Sequence, residues 1–157
     1  MTIPPFIVEL RARVGTHPLW LSGAVAVVVR GEEVLLIRRA DTGRWDAVAG
    51  IIEPGEQPAE CAEREVAEEA GVEARVERVA GVDVSGQVVY ENGDRAQYLT
   101  IVLRCRWVSG DPHPVDGEAL EARWFHRDAL PELGEQARQR IAWALSEDPA
   151  AAFVPSA

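Results

Sequence analysis

Three glutamates stand at positions 65, 68 and 69, a spacing that places their side chains on one side of an α-helix. Like charges at this spacing repel one another, so such a cluster is often only a solvated surface. The same carboxylates are also the oxygen ligands that Mg²⁺ or Mn²⁺ takes in proteins, together with the phosphate oxygens of a substrate. Glu65, Glu68 and Glu69 therefore have two interpretations, an exposed acidic face and a metal site.

The segment around these glutamates predicts a loop followed by a helix. Residues 50 to 57 are rich in glycine, proline and acid, and glycine lets backbone atoms approach a ligand closely. A helix is expected from Pro58 to Ala70, because proline suits the first helical position and Gly71 suits the left-handed position after the last turn. An apolar stripe at helical spacing predicts the face that packs on a core. The stripe consists of Ala59, Ala62, Val66 and Ala70.

The loop and helix together resemble the signature of the Nudix family. That signature is Gly-x5-Glu-x7-Arg-Glu-U-x-Glu-Glu-x-Gly-U, in which U is a bulky aliphatic residue. Every specified position is filled here, at the same spacing and on a matching loop and helix. The flanking pattern is similar to the family from about residue 21 to residue 126. The residues that fill the signature are Gly50, Glu56, Arg64, Glu65, Val66, Glu68, Glu69, Gly71 and Val72.

The resemblance implies hydrolysis of a nucleoside diphosphate linked to another moiety, with Mg²⁺ or Mn²⁺ as the cofactor. In such a reaction water attacks phosphorus in line with the leaving group, and metal ions neutralise the diphosphate. The metal ligands that the signature implies are the carboxylates of Glu65, Glu68 and Glu69 and the carbonyl oxygen of Gly50.

The same resemblance implies three further roles. Glu65 is also the candidate general base, although family members differ in where the base lies. Arg64 and Glu56 are expected to form an ion pair that holds the loop against the helix. Several members draw an extra metal-binding glutamate from five or six residues before a tryptophan, and Glu118 stands six before Trp124. An ordinary acid at the end of a loop is the alternative for Glu118.

The sequence departs from the family just before the signature. Many members have Leu-Pro-Gly-Gly there, whereas Val48 replaces the proline and Ala49 replaces the first glycine. This difference bears on the path of the loop and on the position of the Gly50 carbonyl. The acidic positions are all intact, so the departure does not predict a loss of activity.

Candidate substrate-binding residues flank the signature. Arg38, Arg39 and Arg44 precede it, and arginine binds phosphate oxygens through two parallel hydrogen bonds. Solvated arginines that offset nearby acids are the alternative. Tyr90 stands eighteen residues after the signature, as in members that act on dinucleoside polyphosphates, although a single tyrosine in a strand also fits ordinary packing. Nucleoside triphosphates, nucleotide sugars, ADP-ribose and dinucleoside polyphosphates all remain candidate substrates.

A second class of function is a Nudix domain that binds a nucleotide without hydrolysing it, as a sensor or partner module. Such domains commonly lose glutamates of the signature, and none is lost here. An active hydrolase is therefore the favoured prediction.

Composition and charge set wider limits. The chain has 157 residues and a formal net charge of −10, which fits one acidic globular domain. Nucleic acid polymers and anionic membranes bind basic surfaces, so we expect a small-molecule nucleotide as the partner instead. The sequence shows no secretory signal or membrane-spanning run, and Cys61 and Cys105 are expected to be free thiols, which predicts a cytoplasmic protein.

The order of elements predicts an α/β fold, a Nudix-like α/β/α sandwich around a mixed β-sheet. Helices are expected at residues 2 to 14, capped by Thr2, and at residues 135 to 145. Strands are expected at residues 24 to 29, 34 to 37, 72 to 84, 98 to 108 and 119 to 125, with a turn at 92 to 94.

The predicted division of the chain has three parts. An N-terminal helical extension covers residues 1 to 20, a Nudix hydrolase domain covers 21 to 146, and a loose tail covers 147 to 157. The first helix is expected to pack on the domain or to form a contact in a homodimer.

Overall fold

The computed structural model describes residues 3 to 156, so the predicted cap at Thr2 lies outside the described residues. The helices of this part are α1 Pro5–Val14, α2 Pro58–Ala70 and α3 Glu135–Leu145. Its strands are β1 Leu19–Arg30, β2 Glu33–Arg39, β3 Trp45–Asp46, β4 Val48–Ile51, β5 Glu73–Val84, β6 Val88–Val89, β7 Arg95–Ser109, β8 Ala119–His126 and β9 Ala152–Phe153. The second and third helices have the predicted bounds, whereas α1 begins at Pro5 rather than at residue 2.

The strands form one mixed sheet. Its central pair, β1 and β7, is parallel, while β2 and β4 are antiparallel to β1, and β5 is antiparallel to β7. The predicted hairpin between the first two strands is confirmed, with Val29 opposite Val34. β4 lies beside the first half of β1, where Gly50 is opposite Ala24. The glycine that opens the signature therefore belongs to the sheet itself.

Both faces of the sheet are buried. On β1 and β2, Val28 and Leu35 pack on the side covered by α2, while Val27 and Leu36 pack on the side covered by α3. Side chains alternate between the faces of a strand, so these continuous apolar runs require a helix on each side. Full burial of each such side chain stabilises the fold by roughly 1.5–3 kcal/mol. The three layers confirm the predicted α/β/α sandwich around a mixed sheet.

α1 packs on one end of the sheet. Ile7 is buried in a small apolar cluster with Leu21, Ile51 and Ala96, residues of β1, β4 and β7. Packing on the domain was one of the two roles predicted for this helix. None of the helices between residues 3 and 156 is long and apolar enough to cross a membrane.

The C-terminal segment differs locally from the loose tail predicted for residues 147 to 157. Ala152 and Phe153 form β9, which pairs in parallel with Gly81 and Val82 of β5. An edge strand offers unpaired backbone groups to any neighbouring segment, so this order arises from backbone pairing rather than from side-chain pattern. The two-residue strand therefore escaped the sequence prediction.

A buried ion pair joins β5 to α3. The guanidinium of Arg140 donates to both carboxylate oxygens of Asp83, at 2.6 and 2.9 Å, and Gln136 donates to one of them at 3.2 Å. The side chains of Asp83 and Arg140 are only 4% and 12% exposed. The pair therefore ties the helix of one layer to the sheet in a site from which water is largely excluded.

Replacing Arg140 with alanine should lower the free energy of unfolding by about 3–5 kcal/mol, because it leaves the Asp83 carboxylate buried without its cationic partner. Urea denaturation of the two proteins measures the difference. Arg123→Ala is the matched control, since the Arg123 side chain is 63% exposed beside Glu121 and its loss should cost less than about 1 kcal/mol. Equally small losses in both variants would contradict this account of the ion pair.

Candidate active site

Local interactions define both ends of α2. The backbone N–H of Gln57 donates to the Glu60 carboxylate at 2.9 Å and forms a capping box before Pro58. At the other end Gly71 has a φ of 64°, which glycine adopts without strain. A Cβ on Gly71 would lie 2.3 Å from the imidazole of His113, so the neighbouring loop also excludes a larger residue. The signature glycine thus ends the helix and lets the 109–118 loop approach it.

Gly50 and Glu65 are in direct contact. A Cβ built on Gly50 would lie 2.1 Å from the carboxyl carbon of Glu65, so the glutamate occupies the space above the glycine backbone. This close approach requires glycine at position 50. The contact places the carboxylate of Glu65 next to the backbone of Gly50 in β4, so two of the predicted metal ligands lie side by side.

Arg64 joins the acidic loop to the helix. It donates to both carboxylate oxygens of Glu56, at 2.8 and 3.1 Å, and to Glu65 and Glu68 at 2.7 and 3.1 Å. This partner lowers the pKa of Glu56 below its usual range. Glu56 also accepts a hydrogen bond from the backbone N–H of Glu53 at 3.1 Å, which closes the loop. The side chain of Arg64 therefore positions three carboxylates at once.

Glu69 is buried without a complete set of partners. Only 2% of the residue is exposed, and its Oε2 atom has no hydrogen-bond partner. Burial, followed by the negative charges of Glu65 and Glu118, raises the pKa of Glu69 to about 8. Arg39 opposes this shift, but it does not neutralise the carboxylate. The ionised form of Glu69 is therefore costly in this position unless a cation lies beside it.

An open cleft of about 310 Å³ collects most of the predicted metal ligands. They come from three different elements, namely β4, α2 and the loop before β8. Glu69 does not line this cleft, because it is buried in the body of the protein. We name this space the acidic cleft. Its polar and glycine lining consists of Gly50, Glu53, Arg64, Glu65, Glu68, Asp116 and Glu118.

Backbone contacts place Glu118 beside the Nudix-like segment. Its carbonyl accepts a hydrogen bond from Ala40 N–H at 2.9 Å, and its own N–H donates to Asp116 at 2.9 Å. Earlier in the same loop, the N–H of His113 donates to the carbonyl of Ala70 at the end of α2, at 3.0 Å. The loop is thus hydrogen-bonded to the residue after β2 and to the end of the helix that carries the glutamates.

The donor set of the acidic cleft fits a hard divalent cation. Carboxylate oxygens and one backbone carbonyl are the ligands that Mg²⁺ and Mn²⁺ prefer. Glu69 lies outside the lining of this cleft, but it interacts electrostatically with Glu65 and Glu118, which line it, and its buried Oε2 has no hydrogen-bond partner. Within residues 3 to 156, however, no three acidic, histidine or cysteine side chains converge as a metal-binding group. Arg64 accounts for this, because its guanidinium draws the carboxylates of Glu65 and Glu68 to itself.

The four predicted substrate-binding residues divide into two sets. Arg39 and Tyr90 line both of two further clefts, of about 530 and 440 Å³, and Arg44 lines the second. Arg39 makes two hydrogen bonds to Asp41, at 2.9 and 2.7 Å. Arg38 lines none of the three clefts and instead donates to Glu121 and to the carbonyl of Gly43, both at 3.1 Å. The geometry therefore does not bring Arg38 together with the other three.

Sequence reasoning missed several residues that line these clefts. Glu53 and Asp116 carried a signal, since both are acids within a few residues of predicted ligands. Tyr98 carried none, because a tyrosine in a strand is ordinary; its hydroxyl lies 2.6 Å from that of Tyr90. Pro4 of the N-terminal segment lines the acidic cleft, although no catalytic part was predicted for this segment.

Comparison with known proteins identifies the family of this chain. A family model described as the NUDIX domain matches residues 20 to 144. The NAD-capped RNA hydrolase NudC of Pseudomonas aeruginosa is 36% identical over 122 residues, which cover 76% of this chain and 41% of that protein. A MutT-like protein of Streptomyces ambofaciens is 34% identical over 116 residues, which cover 73% of this chain and 70% of that protein. The chain thus spans about two fifths of the length of the NudC relative.

Solved structures share the fold. A NUDIX hydrolase from Nitrosomonas europaea superposes with a TM-score of 0.68 at 20% identity, over 85% of this chain and 76% of that chain. An ADP-ribose pyrophosphatase from Streptococcus suis superposes with a TM-score of 0.66 at 20% identity, over 85% of this chain and 98% of that chain. The chain belongs to the Nudix family, as the signature predicted. The NudC relative is named a hydrolase and the Streptococcus suis structure a pyrophosphatase, the class of enzyme that the sequence predicted for this chain.

The raised pKa of Glu69 predicts a pH dependence of stability in the metal-free protein. The folded chain keeps this proton up to about pH 8, whereas an unfolded glutamate releases it near its ordinary pKa of 4.5. The contribution of Glu69 to stability is therefore fully present below pH 4.5 and is lost as the pH rises to about 8. Glu69→Gln, which cannot titrate, should lack this decline.

Thermal unfolding with a chelator present measures this effect. The variant should be more stable than the wild type above about pH 8, by an amount that shrinks toward about pH 5. Mg²⁺ should reduce the difference, because a cation stabilises the ionised carboxylate. Parallel unfolding curves across this pH range would contradict the assignment of a buried, unpaired carboxylate.

Proposed function

We propose that the chain hydrolyses the pyrophosphate bond of a nucleoside diphosphate linked to another moiety, with Mg²⁺ or Mn²⁺ as its cofactor. The observation that carries this proposal is the buried carboxylate of Glu69, which has an unpaired oxygen and lies next to further carboxylates. A structural role alone does not explain a glutamate kept in a position where its ionised form is so costly. Membership of the Nudix family supports the same reaction class.

The ligands proposed for the metal come from all three elements of the acidic cleft. When bound, the cation would neutralise the diphosphate and lower the pKa of a water molecule that attacks phosphorus. Glu68 is the carboxylate best placed to exchange Arg64 for a metal ion, since its side chain is 53% exposed and this ion pair is open to solvent. The proposed ligands are the carboxylates of Glu65, Glu68, Glu69 and Glu118 and the carbonyl oxygen of Gly50.

Glu65 is the proposed general base. Its carboxylate lies over the backbone of Gly50, next to the other proposed metal ligands of the cleft. Burial raises the pKa of Glu65 above its usual value, and the hydrogen bond from Arg64 opposes this rise. Arg64 and Glu56 act as positioning residues, because their ion pair orients Glu65 without reaching a substrate.

The substrate would extend from the acidic cleft toward Arg39, Arg44 and Tyr90. Arg39 is the proposed phosphate ligand, since its guanidinium has the planar fork that matches phosphate oxygens. It would exchange its exposed partner Asp41 for the substrate. Arg38 stays a prediction as a substrate ligand; it donates to Glu121 and lines none of the three clefts.

The substrate class remains open among nucleoside triphosphates, nucleotide sugars, ADP-ribose and dinucleoside polyphosphates. The NudC relative is named for acting on NAD-capped RNA, which adds dinucleotides of the NAD type. The net charge of −10 favours a small nucleotide over a nucleic acid polymer. A cytoplasmic location and a homodimer also belong to the proposal, and the free, buried Cys61 and Cys105 agree with that location.

The test of the proposal is phosphate release from a panel of nucleotides with Mg²⁺ or Mn²⁺, with a phosphatase added where the product requires it. The panel contains nucleoside and deoxynucleoside triphosphates, ADP-ribose, nucleotide sugars, NADH and diadenosine polyphosphates. We expect a clear preference that a chelator abolishes. No release from any substrate, with nucleotide binding still seen by thermal shift, would favour the alternative of a non-catalytic nucleotide sensor.

Glu69→Gln should lower turnover of the preferred substrate by about two or more orders of magnitude, because the amide does not replace a charged metal ligand. Steady-state kinetics measures the loss, and circular dichroism checks the fold. Glu60→Gln is the matched control on the same helix. Glu60 belongs to the capping box of the first turn, where a glutamine can replace it, and it does not line the acidic cleft. Unchanged turnover in Glu69→Gln would rule out the proposed site.

A further inference from the structure

A cleft of about 530 Å³ opens beside the acidic cleft. The two spaces share Pro4, Ile51 and Glu118, so they are continuous. One wall is formed by α1 and the residues before it, and the other by the end of the sheet where β1, β4 and β7 meet. We name this space the α1 cleft. Its aliphatic lining consists of Ile3, Pro4, Ile7, Leu21, Ile51 and Ala96.

Two tyrosines also line the α1 cleft, together with the charged residues Arg11, Arg39, Asp41, Glu91, Asp94 and Glu118. The hydroxyl groups of Tyr90 and Tyr98 lie 2.6 Å apart and are hydrogen-bonded to each other. Burial, and then the bond to Tyr90, raises the pKa of Tyr98, so the Tyr98 hydroxyl stays protonated at physiological pH. The pair therefore adds uncharged aromatic surface with hydroxyl groups that can bond to a ligand.

Arg11 anchors α1 over this space. Its guanidinium donates to the carbonyls of Gly15 and His17, at 3.0 and 2.6 Å, and to that of Arg95 on β7 at 2.7 Å. Its Nε atom lies 3.4 Å from a carboxylate oxygen of Asp94. Because the bond to Arg95 crosses from the helix to the sheet, the wall formed by α1 is fixed in place.

We propose that the α1 cleft binds the base and ribose of the nucleotide, which makes α1 a specificity element of the enzyme. This inference rests on the proposed function, which places the diphosphate in the acidic cleft. The volume lies within the roughly 300–1,000 Å³ of small-ligand sites, and aliphatic and aromatic walls suit a flat, uncharged heterocycle. Arg39 lines the same cleft, at the place where a nucleoside joins its phosphates.

The third cleft, of about 440 Å³, also adjoins the acidic cleft, through Gly50 and Ile51. Both clefts have charged side chains in their linings, and Arg39 and Asp41 belong to each of them. The α1 cleft differs because α1 and the residues before it supply an aliphatic wall, made by Ile3, Pro4 and Ile7.

Ile3→Glu tests the inference, with Val8→Glu as the matched control. Both residues are aliphatic and about half exposed, at 49% and 55%, but only Ile3 lines the α1 cleft. Binding of the four common nucleoside 5′-monophosphates is measured by calorimetry with Mg²⁺ present, and KM and kcat are measured for the preferred substrate. Ile3→Glu should raise both Kd and KM by about tenfold, equivalent to about 1.4 kcal/mol, with kcat nearly unchanged. Val8→Glu should match the wild type.

Ile3→Trp provides a second variant that adds no charge. Its larger side chain should fill part of the α1 cleft and weaken binding as well, so a folding defect specific to the glutamate would not hide the effect. Equal Kd and KM values in wild type, Ile3→Glu and Ile3→Trp would overturn the inference, and so would the absence of monophosphate binding by the wild type. Hydrolysis by the wild type decides the proposed function separately, because monophosphate binding is measured without turnover.

Discussion

The site depends on one cation, the guanidinium of Arg64. It binds Glu56 of the loop and Glu65 and Glu68 of α2 at distances from 2.7 to 3.1 Å. Without this group the carboxylates of the loop and the helix would repel one another, and no ionic contact would hold the two segments together. Arg64 also explains how a chain with so many adjacent acids can fold before a metal binds, since it supplies positive charge at the same place.

The buried carboxylate of Glu69 shows how the fold supports a costly group. An anion with an unpaired oxygen in the interior destabilises the chain, and the raised pKa reports that cost. α2 stays in place because Cys61, Ala62 and Val66, on the same helix, are fully buried against the sheet. The apolar packing of α2 thus offsets the free-energy cost of burying Glu69. Such a conflict between stability and local chemistry is typical of functional sites.

The sheet brings the three clefts to one end of the molecule. β4 places Gly50 beside β1, and the parallel partner β7 carries Tyr98 at the same end, opposite Leu21. α1 then covers this end through Ile7 and closes the space next to the acidic cleft. The acidic cleft and the α1 cleft therefore adjoin each other at this end of the sheet, where Pro4, Ile51 and Glu118 line both.

Local sequence determined the elements whose signals lie within a few residues of one another. The bounds of α2 and α3, the first hairpin and the signature belong to this class, because caps, periodicity and turns act over short distances. Only the tertiary structure decided which groups lie together. Strand alternation and a bulge separated Arg39 from Arg38, chain reversal brought Tyr98 to Tyr90, and β9 arose from pairing with an open edge. The burial of Glu69 likewise depends on elements far away in sequence, since a helical pattern does not reveal what will cover each face.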